Sequence, residues 1–312
     1  MISIRPLEKH HLDQADRIFR LAFGTFMGLP DPMKFMGDAE LIRTRWNADS
    51  SSAIGAFEGD ELLGSNLAAR WGSFAFLGPL TIRPDLWDKG IAKKLLQETV
   101  SLFDQWGIRQ SGLFTFPHSP KHHGLYQKFD FWPQHLTPLM GKQLNGNQSD
   151  IDWTAYSSGS SEERSKWLRE CAHVANEIFP GLNLDTEIRS VFGQNLGDTV
   201  LIRNNGAISG FAITHVGKGS EAGTGNAYIK FGAIRPGENA EDRFDKLLAA
   251  CESLASQRNS PKITAGVNTA RHHAYRRMLA RGYRTAFTGV AMLRPNAPGF
   301  NRPECFVIDD WR

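Results

Sequence analysis

The stretch Leu80-Thr-Ile-Arg-Pro-Asp-Leu-Trp-Asp-Lys-Gly-Ile-Ala-Lys-Lys-Leu-Leu96 changes its hydrophobic period half-way along. From Phe74 to Ile82 the chain is rich in Phe, Leu, Thr and Ile and reads as a strand. Pro84 and Asp85 stop it, because proline lacks a ladder donor and restricts its predecessor. After Gly90, Ile91, Leu95, Leu96, Val100 and Phe103 recur at helical spacing. Asp88-Lys89-Gly90-Ile91-Ala92 lies between, with a permissive residue at Gly90 and a small one at Ala92. Several backbone N–H groups can converge there on an anion at the positive end of the helix dipole. A turn that only joins strand to helix is the plain alternative. Neither a G-x-x-x-x-G-K-S/T pattern nor a second glycine-led helix competes for a phosphate. The run Gly217 to Gly225 leads into a strand-like segment and reads as a flexible hairpin loop.

A chain of 312 residues suffices for two domains of about 150 each. The apolar fraction is 41% and the charged fraction 22%, as in soluble globular chains with a large core. No apolar run approaches the roughly 20 residues of a membrane span. Ile2 to Leu7 reads directly as a strand, so no leader is visible and a cytoplasmic location is expected. Cys171, Cys251 and Cys305 form no C-x-x-C pair. A net charge of +3 is too small to imply nucleic acid.

In the first half, His10 to Gly24 reads as a helix ended by Gly24, and Asp38 to Trp46 as a second. Between them Phe26 to Met36 is apolar but broken by Pro30 and Pro32. The expectation is a loop packed on the core, the alternative an apolar lid over a substrate pocket. Ala53 to Glu58 and Leu62 to Trp71 form a hairpin. Ser111 to Phe116 (strand), Lys121 to Phe129 (helix) and His135 to Met140 (strand) follow the central unit. Residues 144–151 are polar and turn-forming, a linker between domains 1–143 and 152–312.

The second half repeats the order. Trp153 to Tyr156 is a strand, and helices start at Ser160, with a capping box to Glu163, and at Asp185. A hairpin turns at Asn205-Gly206. Then come strand Tyr228 to Ile234, helix Glu241 to Leu254, strand Ile263 to Val267, helix Thr269 to Arg281, and strands Phe287 to Leu293 and Cys305 to Ile308. Ile82-Arg83-Pro84 recurs as Ile234-Arg235-Pro236, an offset of 234 − 82 = 152. The same offset carries Leu95-Leu96 to Leu247-Leu248 and Phe131 to Tyr283, as an internal duplication requires. It also carries Lys89 to Glu241, Gly90 to Asp242 and Ala92 to Phe244. Two carboxylates and a ring then stand where a phosphate needs bare backbone. One working site, in the first half, is expected.

With both motifs in view, the sequence resembles the GNAT superfamily of N-acetyltransferases in tandem form. The family's Gln/Arg-x-x-Gly-x-Gly/Ala turn is matched by Trp87-Asp-Lys-Gly90-Ile-Ala92, with Trp87 at the leading position. Its late Leu-Tyr-x-x-x-Gly-Phe helix is matched by Leu125-Tyr126-Gln-Lys-Phe-Asp130-Phe131, with Asp130 for Gly and Ser119 for the usual Asn. The resemblance covers residues 2–142, with a degenerate copy over about 152–312. It implies two α/β domains, each a mixed, mostly antiparallel sheet flanked by helices. It also implies acetyl-CoA as co-substrate, a pantetheine arm on the backbone of Leu80, Thr81 and Ile82, and a pyrophosphate on the N–H groups of Asp88, Lys89, Gly90, Ile91, Ala92 and Lys93. Trp87 and Ser119 complete the implied cofactor contacts.

Amine attack on a thioester needs proton removal, oxyanion stabilisation and thiolate protonation. Tyr126 matches the family's general acid. No carboxylate lies between Trp71 and Ile82, so His118 is the candidate base, with a structural His, a relayed water and Asp31 as alternatives. His118 and His122 are four apart, but Pro120 separates them and no further ligand accompanies them, so no metal is expected. The basic helix around Arg276 and Arg277 lacks interleaved aromatics, so no nucleic acid is expected. The acceptor is a small-molecule or peptide amine, and the chain a monomer or homodimer. Rival readings are a non-catalytic acyl-CoA-binding protein and a transferase using charged tRNA.

Overall fold

Alternation and helical stripes in the first half become six strands and four helices. The computed structural model describes residues 1–145 and 151–312. The strands are β1 (Ile2–Pro6), β2 (Ala53–Glu58), β3 (Glu61–Trp71), β4 (Phe74–Ile82), β5 (Gln110–Thr115) and β6 (Trp132–Gln143). The helices are α1 (Leu12–Phe26), α2 (Ile42–Ala48), α3 (Ile91–Gln105) and α4 (Pro120–Gln127). The second half supplies β7 (Thr154–Ala155), β8 (Gly197–Asn204), β9 (Ala207–Gly217), β10 (Gly223–Ile234), β11 (Lys262–Gly266), β12 (Arg284–Arg294) and β13 (Val307–Ile308). Its helices are α5 (Ser161–Ile178), α6 (Asp185–Gly193), α7 (Ala240–Gln257) and α8 (His272–Ala280). The offset of 152 holds in three dimensions. β4 and β10 end at Ile82 and Ile234, α3 and α7 at Gln105 and Gln257, and β6 and β12 begin at Trp132 and Arg284.

The two halves share one sheet, ordered β1-β2-β3-β4-β5-β12-β6-β11-β10-β9-β8-β7, with β13 on β10. Among the described residues, only the β4–β5 and β10–β11 pairs are parallel. The last long strands are exchanged: β12 lies between β5 and β6, and β6 lies between β11 and β12. Each half therefore completes the other's sheet. The core follows the same logic. Trp71, Phe74 and Phe76 share a cluster with Trp167, Phe231 and Phe300, and the Trp71 and Phe231 rings meet edge-on at 5.3 Å.

A buried ion network also crosses the halves. Arg45 on α2 pairs with Glu221 at 2.8 Å, and Lys230 pairs with Glu221 at 2.8 Å and Glu187 at 3.0 Å. Trp71 Nε1 donates to Glu187, and Arg45 also donates to the Gly78 carbonyl. The two flanking cations hold the Glu221 carboxyl well below its usual range against the opposing effect of burial. Removing one member of such a network strands a buried charge, so Glu221→Ala is expected to cost about 3–5 kcal/mol in urea unfolding. A depressed carboxyl stabilises above its unfolded pKa and loses that contribution as pH falls towards its folded value. Buried His215 adds to the acid sensitivity. Burial pushes its imidazole down to about 4, so its penalty for staying neutral grows from pH 6.5 down to 4.

Several elements differ in their bounds from the sequence expectation. α1 runs through Gly24 to Phe26. Gly24 is there for close approach, since a Cβ would collide with the Pro32 backbone. The second helix begins at Ile42, because Asp38 is used elsewhere, accepting from the Thr224 backbone and hydroxyl. The run from Gly217 to Gly225, expected as a flexible hairpin loop, thereby docks on the first half, and from Gly223 on it belongs to β10. The expected linker falls largely on residues 146–150, outside the described residues.

Candidate functional site

Pairing between β4 and β5 runs from Phe74↔Gln110 to Leu77↔Leu113 and then stops. Leu80, Thr81 and Ile82 continue along β3, opposite Asn66, Ser65 and Gly64. Their other edge faces a cavity of about 1040 Å³. At its far end the chain turns through two left-handed residues, Asp88 (φ 65°) and Gly90 (φ 76°), and enters α3. The first N–H groups of α3 have no carbonyl one turn upstream, so they are available to an anion. A Cβ on Gly90 would meet nothing within 4 Å, so here glycine answers the backbone angle.

The cavity wall includes Leu80, Thr81, Ile82, Trp87, Asp88, Gly90, Ile91, Ala92 and Lys93. Lys89, in the same turn, is exposed and does not line it. The Trp87 indole donates to the Ile82 carbonyl at 2.9 Å, clamping the turn against the end of β4. Lys121 pairs with Asp88 at 2.6 Å, joining α4 to the turn and neutralising the one acidic side chain of the wall among the described residues.

Tyr126, on α4, is buried at the cavity, and burial alone pushes its phenol up. It holds its proton throughout the physiological range. Ser119 caps α4, accepting from the His122 N–H, and does not line the cavity. His118 is exposed and stands outside the wall, whereas His122 forms part of it. Burial and neighbouring cations push the His122 imidazole down to about 4, so it is neutral near pH 7. Its Nδ1 has no partner among the described residues.

The segment from Phe26 to Met36 is more than a packed loop. Phe26, Met27, Phe35 and Met36 line the cavity opposite Phe116, and the Phe26 ring lies 4.5 Å from Phe116 and 4.9 Å from His122. Phe287, Trp311 and Arg312 close it from the second half. Sequence periodicity carried no sign of these three, because they arrive only through the exchanged β12 and the residues after β13. Among the described residues no group of His, Cys, Asp or Glu could hold a metal ion, and no helix is long and apolar enough to cross a membrane.

Residues 16–131 match the acetyltransferase (GNAT) family model. The match lies within the first half and spans β2 to β5, α3 and α4. GNAT domains transfer acyl groups from acyl-CoA, and the open β4 edge leading to a left-handed turn is where this one departs from a closed sheet. No curated protein matches the chain in sequence. Solved structures resemble it along almost its whole length. A proposed acetyltransferase of Pyrococcus horikoshii is 13% identical with a TM-score of 0.69, covering 99% of this chain and 95% of that one. A GCN5-related N-acetyltransferase of Sphaerobacter thermophilus is 12% identical with a TM-score of 0.60, over 94% and 95%. A tandem GNAT protein of the clavulanic acid biosynthesis pathway is 10% identical with a TM-score of 0.58, over 94% and 98%. At these identities the likeness is one of fold: a tandem GNAT architecture.

The second GNAT-like half has closed the corresponding region. The offset takes Leu80, Thr81 and Ile82 to Gly232, Ala233 and Ile234. There β13 pairs antiparallel, Ile308 with Gly232 and Val307 with Ala233, and Ile234 N–H donates to Phe306. The edge left open in the first half is occupied by the chain's own backbone. At the turn, α7 starts at Ala240 after left-handed Asn239, about a turn earlier than α3 in the repeat frame. Its Glu241 pairs with His273 and Arg277, and Phe244 is wholly buried. At the place of Tyr126 stands buried Met278.

Proposed function

We propose that the protein is an acetyl-CoA-dependent N-acetyltransferase with one site, in residues 1–143. Residues 152–312 form a copy that has lost its own site and walls the acceptor side of the other. One observation carries this. The free edge at Leu80–Ile82 leads to a bare left-handed turn and a helix N-terminus, and the equivalent edge accepts an extended strand, β13, in the second half. An edge that takes β13 antiparallel has the donors and acceptors to take an extended pantetheine arm. The α3 N-terminus, with Lys93 on the wall and Lys89 and Lys94 nearby, fits a pyrophosphate.

Bound acetyl-CoA supplies an activated thioester. Leu80, Thr81 and Ile82 would hold it along the free edge of β4, in the same cavity that Tyr126 lines. The buried phenol donates a hydrogen bond towards the leaving sulfur and passes a proton as the C–S bond breaks. Because its pKa is raised, transfer is favourable only to a thiolate desolvated in the same cavity. His118, exposed and off the wall, is the weaker candidate for a base, and neutral His122 is the imidazole at the cavity. Tyr126→Phe keeps the ring and its packing. It is expected to lower kcat about 100-fold while leaving the calorimetric Kd for acetyl-CoA within about twofold. Unchanged turnover in that variant would remove Tyr126 from the mechanism, and a protein that binds acetyl-CoA without turning over any amine would be a non-catalytic binder.

A further inference from the structure

The apolar segment after α1 and the cavity face of α1 itself form one end of the cavity. Phe19, Phe23 and Phe35 touch one another there, with ring centroids 5.2–5.4 Å apart, and all three line the cavity. They make a continuous apolar wall, and the open space lies in front of it. Leu77 and Phe114 line the same cavity where β4 and β5 part. At the outer side Met27 both lines the cavity and is 43% exposed, so an apolar surface reaches from solvent to the interior. An exposed apolar surface joined to a cavity marks a place where apolar ligand surface is received, and methionine adapts to ligands of different shape. The transferred acetyl group has a single methyl beyond its carbonyl and covers little of such a wall.

Resting on the acyl-transfer reading above, we propose that the acceptor is an amphipathic primary amine, its alkyl chain lying along the Phe19, Phe23 and Phe35 wall and its nitrogen pointing back to where β4 and β5 part. A chain is narrow enough to lie on the wall without separating rings that already touch. Burying one methylene is worth about fourfold in an equilibrium constant, so a chain of several carbons gains much from this surface. The reacting end is framed by main chain. Arg45 donates to the Gly78 carbonyl at 2.8 Å and to the main-chain oxygen of Arg312, and Gly78 and Arg312 both line the cavity. The amine gives its first proton to water before it reaches the thioester. Its lone pair then forms the C–N bond, and the tetrahedral intermediate collapses with cleavage of C–S. The nitrogen gives up one more proton and the thiolate gains one. The products are an N-alkylacetamide and free CoA thiol.

The test follows thiol release from acetyl-CoA with straight-chain primary amines from butylamine to octylamine at one pH, alongside calorimetry of acetyl-CoA alone. These amines share nearly one pKa, about 10.4 in the lysine reference, so chain length varies at constant ionisation. The expected kcat/KM rises about fourfold per methylene and at least about 50-fold across the series. Phe23→Ser takes a ring out of the wall and is expected to cut that gain to below about tenfold, with the melting temperature reporting whether the fold is kept. Met27→Ser, at an exposed position, is expected to lower kcat/KM for octylamine about fivefold at an unchanged melting temperature. A series that is flat or falls with length overturns the proposal, as does a gain that Met27→Ser and a folded Phe23→Ser both leave intact. A preference of about tenfold for octanoyl-CoA over acetyl-CoA, measured with butylamine, would give the wall to the acyl chain and overturns it too. Acetyl-CoA binding with no amine acetylated overturns this proposal alone. No binding of acetyl-CoA overturns the acyl-transfer reading and this proposal with it.

Discussion

Residues 1–143 expressed alone are expected to remain unfolded or to aggregate. Cutting there strips β6 of both neighbours, since β11 and β12 lie on its two sides, and leaves β5 without β12. A bare edge of that kind invites aggregation. It also uncovers Trp71, Phe74 and Phe76, each at most 1% exposed in the whole chain. At about 1.5–3 kcal/mol for each large apolar side chain, and with Arg45 left without Glu221, the loss matches the roughly 5–15 kcal/mol that holds a domain folded. Circular dichroism and size exclusion check this on the isolated half. Co-expression with residues 152–312 should restore a folded 1:1 pair. A soluble, cooperatively unfolding half would show that the exchanged strands matter less than the topology indicates.

Gly90→Glu is expected to weaken acetyl-CoA binding by at least about 100-fold, or about 2.7 kcal/mol, with the fold retained. A side chain at φ 76° costs about 1 kcal/mol, yet the Cβ meets no neighbour within 4 Å. The remainder of the loss comes from a carboxylate held against the pyrophosphate at a helix N-terminus. Gly90→Ala separates the two contributions: it should unfold at slightly lower temperature and lose only a few-fold in affinity. Equal losses in both variants would assign the effect to backbone strain instead of charge.

Much of this was legible beforehand, for identifiable reasons. The switch from strand to helix across Ile82–Ile91 rests on local chemistry, proline then glycine, and the structure follows it. The 152-residue repeat carried the order of elements across the chain and the loss of the turn at Glu241, Asp242 and Phe244. The strand exchange was not legible. β6 and β12 have the same character, and periodicity says which face of a strand is buried but not which strand it pairs with. The wall residues Phe287, Trp311 and Arg312 depend on that pairing and were hidden with it. His118 drew attention by its residue type and its place after a strand, and the turn before α4 leaves it exposed while His122, one helical turn on, lines the cavity. Gly24 shows the limit of reading glycine as punctuation, since its reason is contact with Pro32 from a segment eight residues away.

One edge, at Leu80–Ile82 of β4, is open, and its counterpart on β10 is closed by β13. Calorimetric titration of acetyl-CoA into the intact protein measures this directly. One molecule bound per chain, abolished by Gly90→Glu, is the result expected if β13 has sealed the second edge. Two molecules per chain, or binding that survives Gly90→Glu, would contradict it.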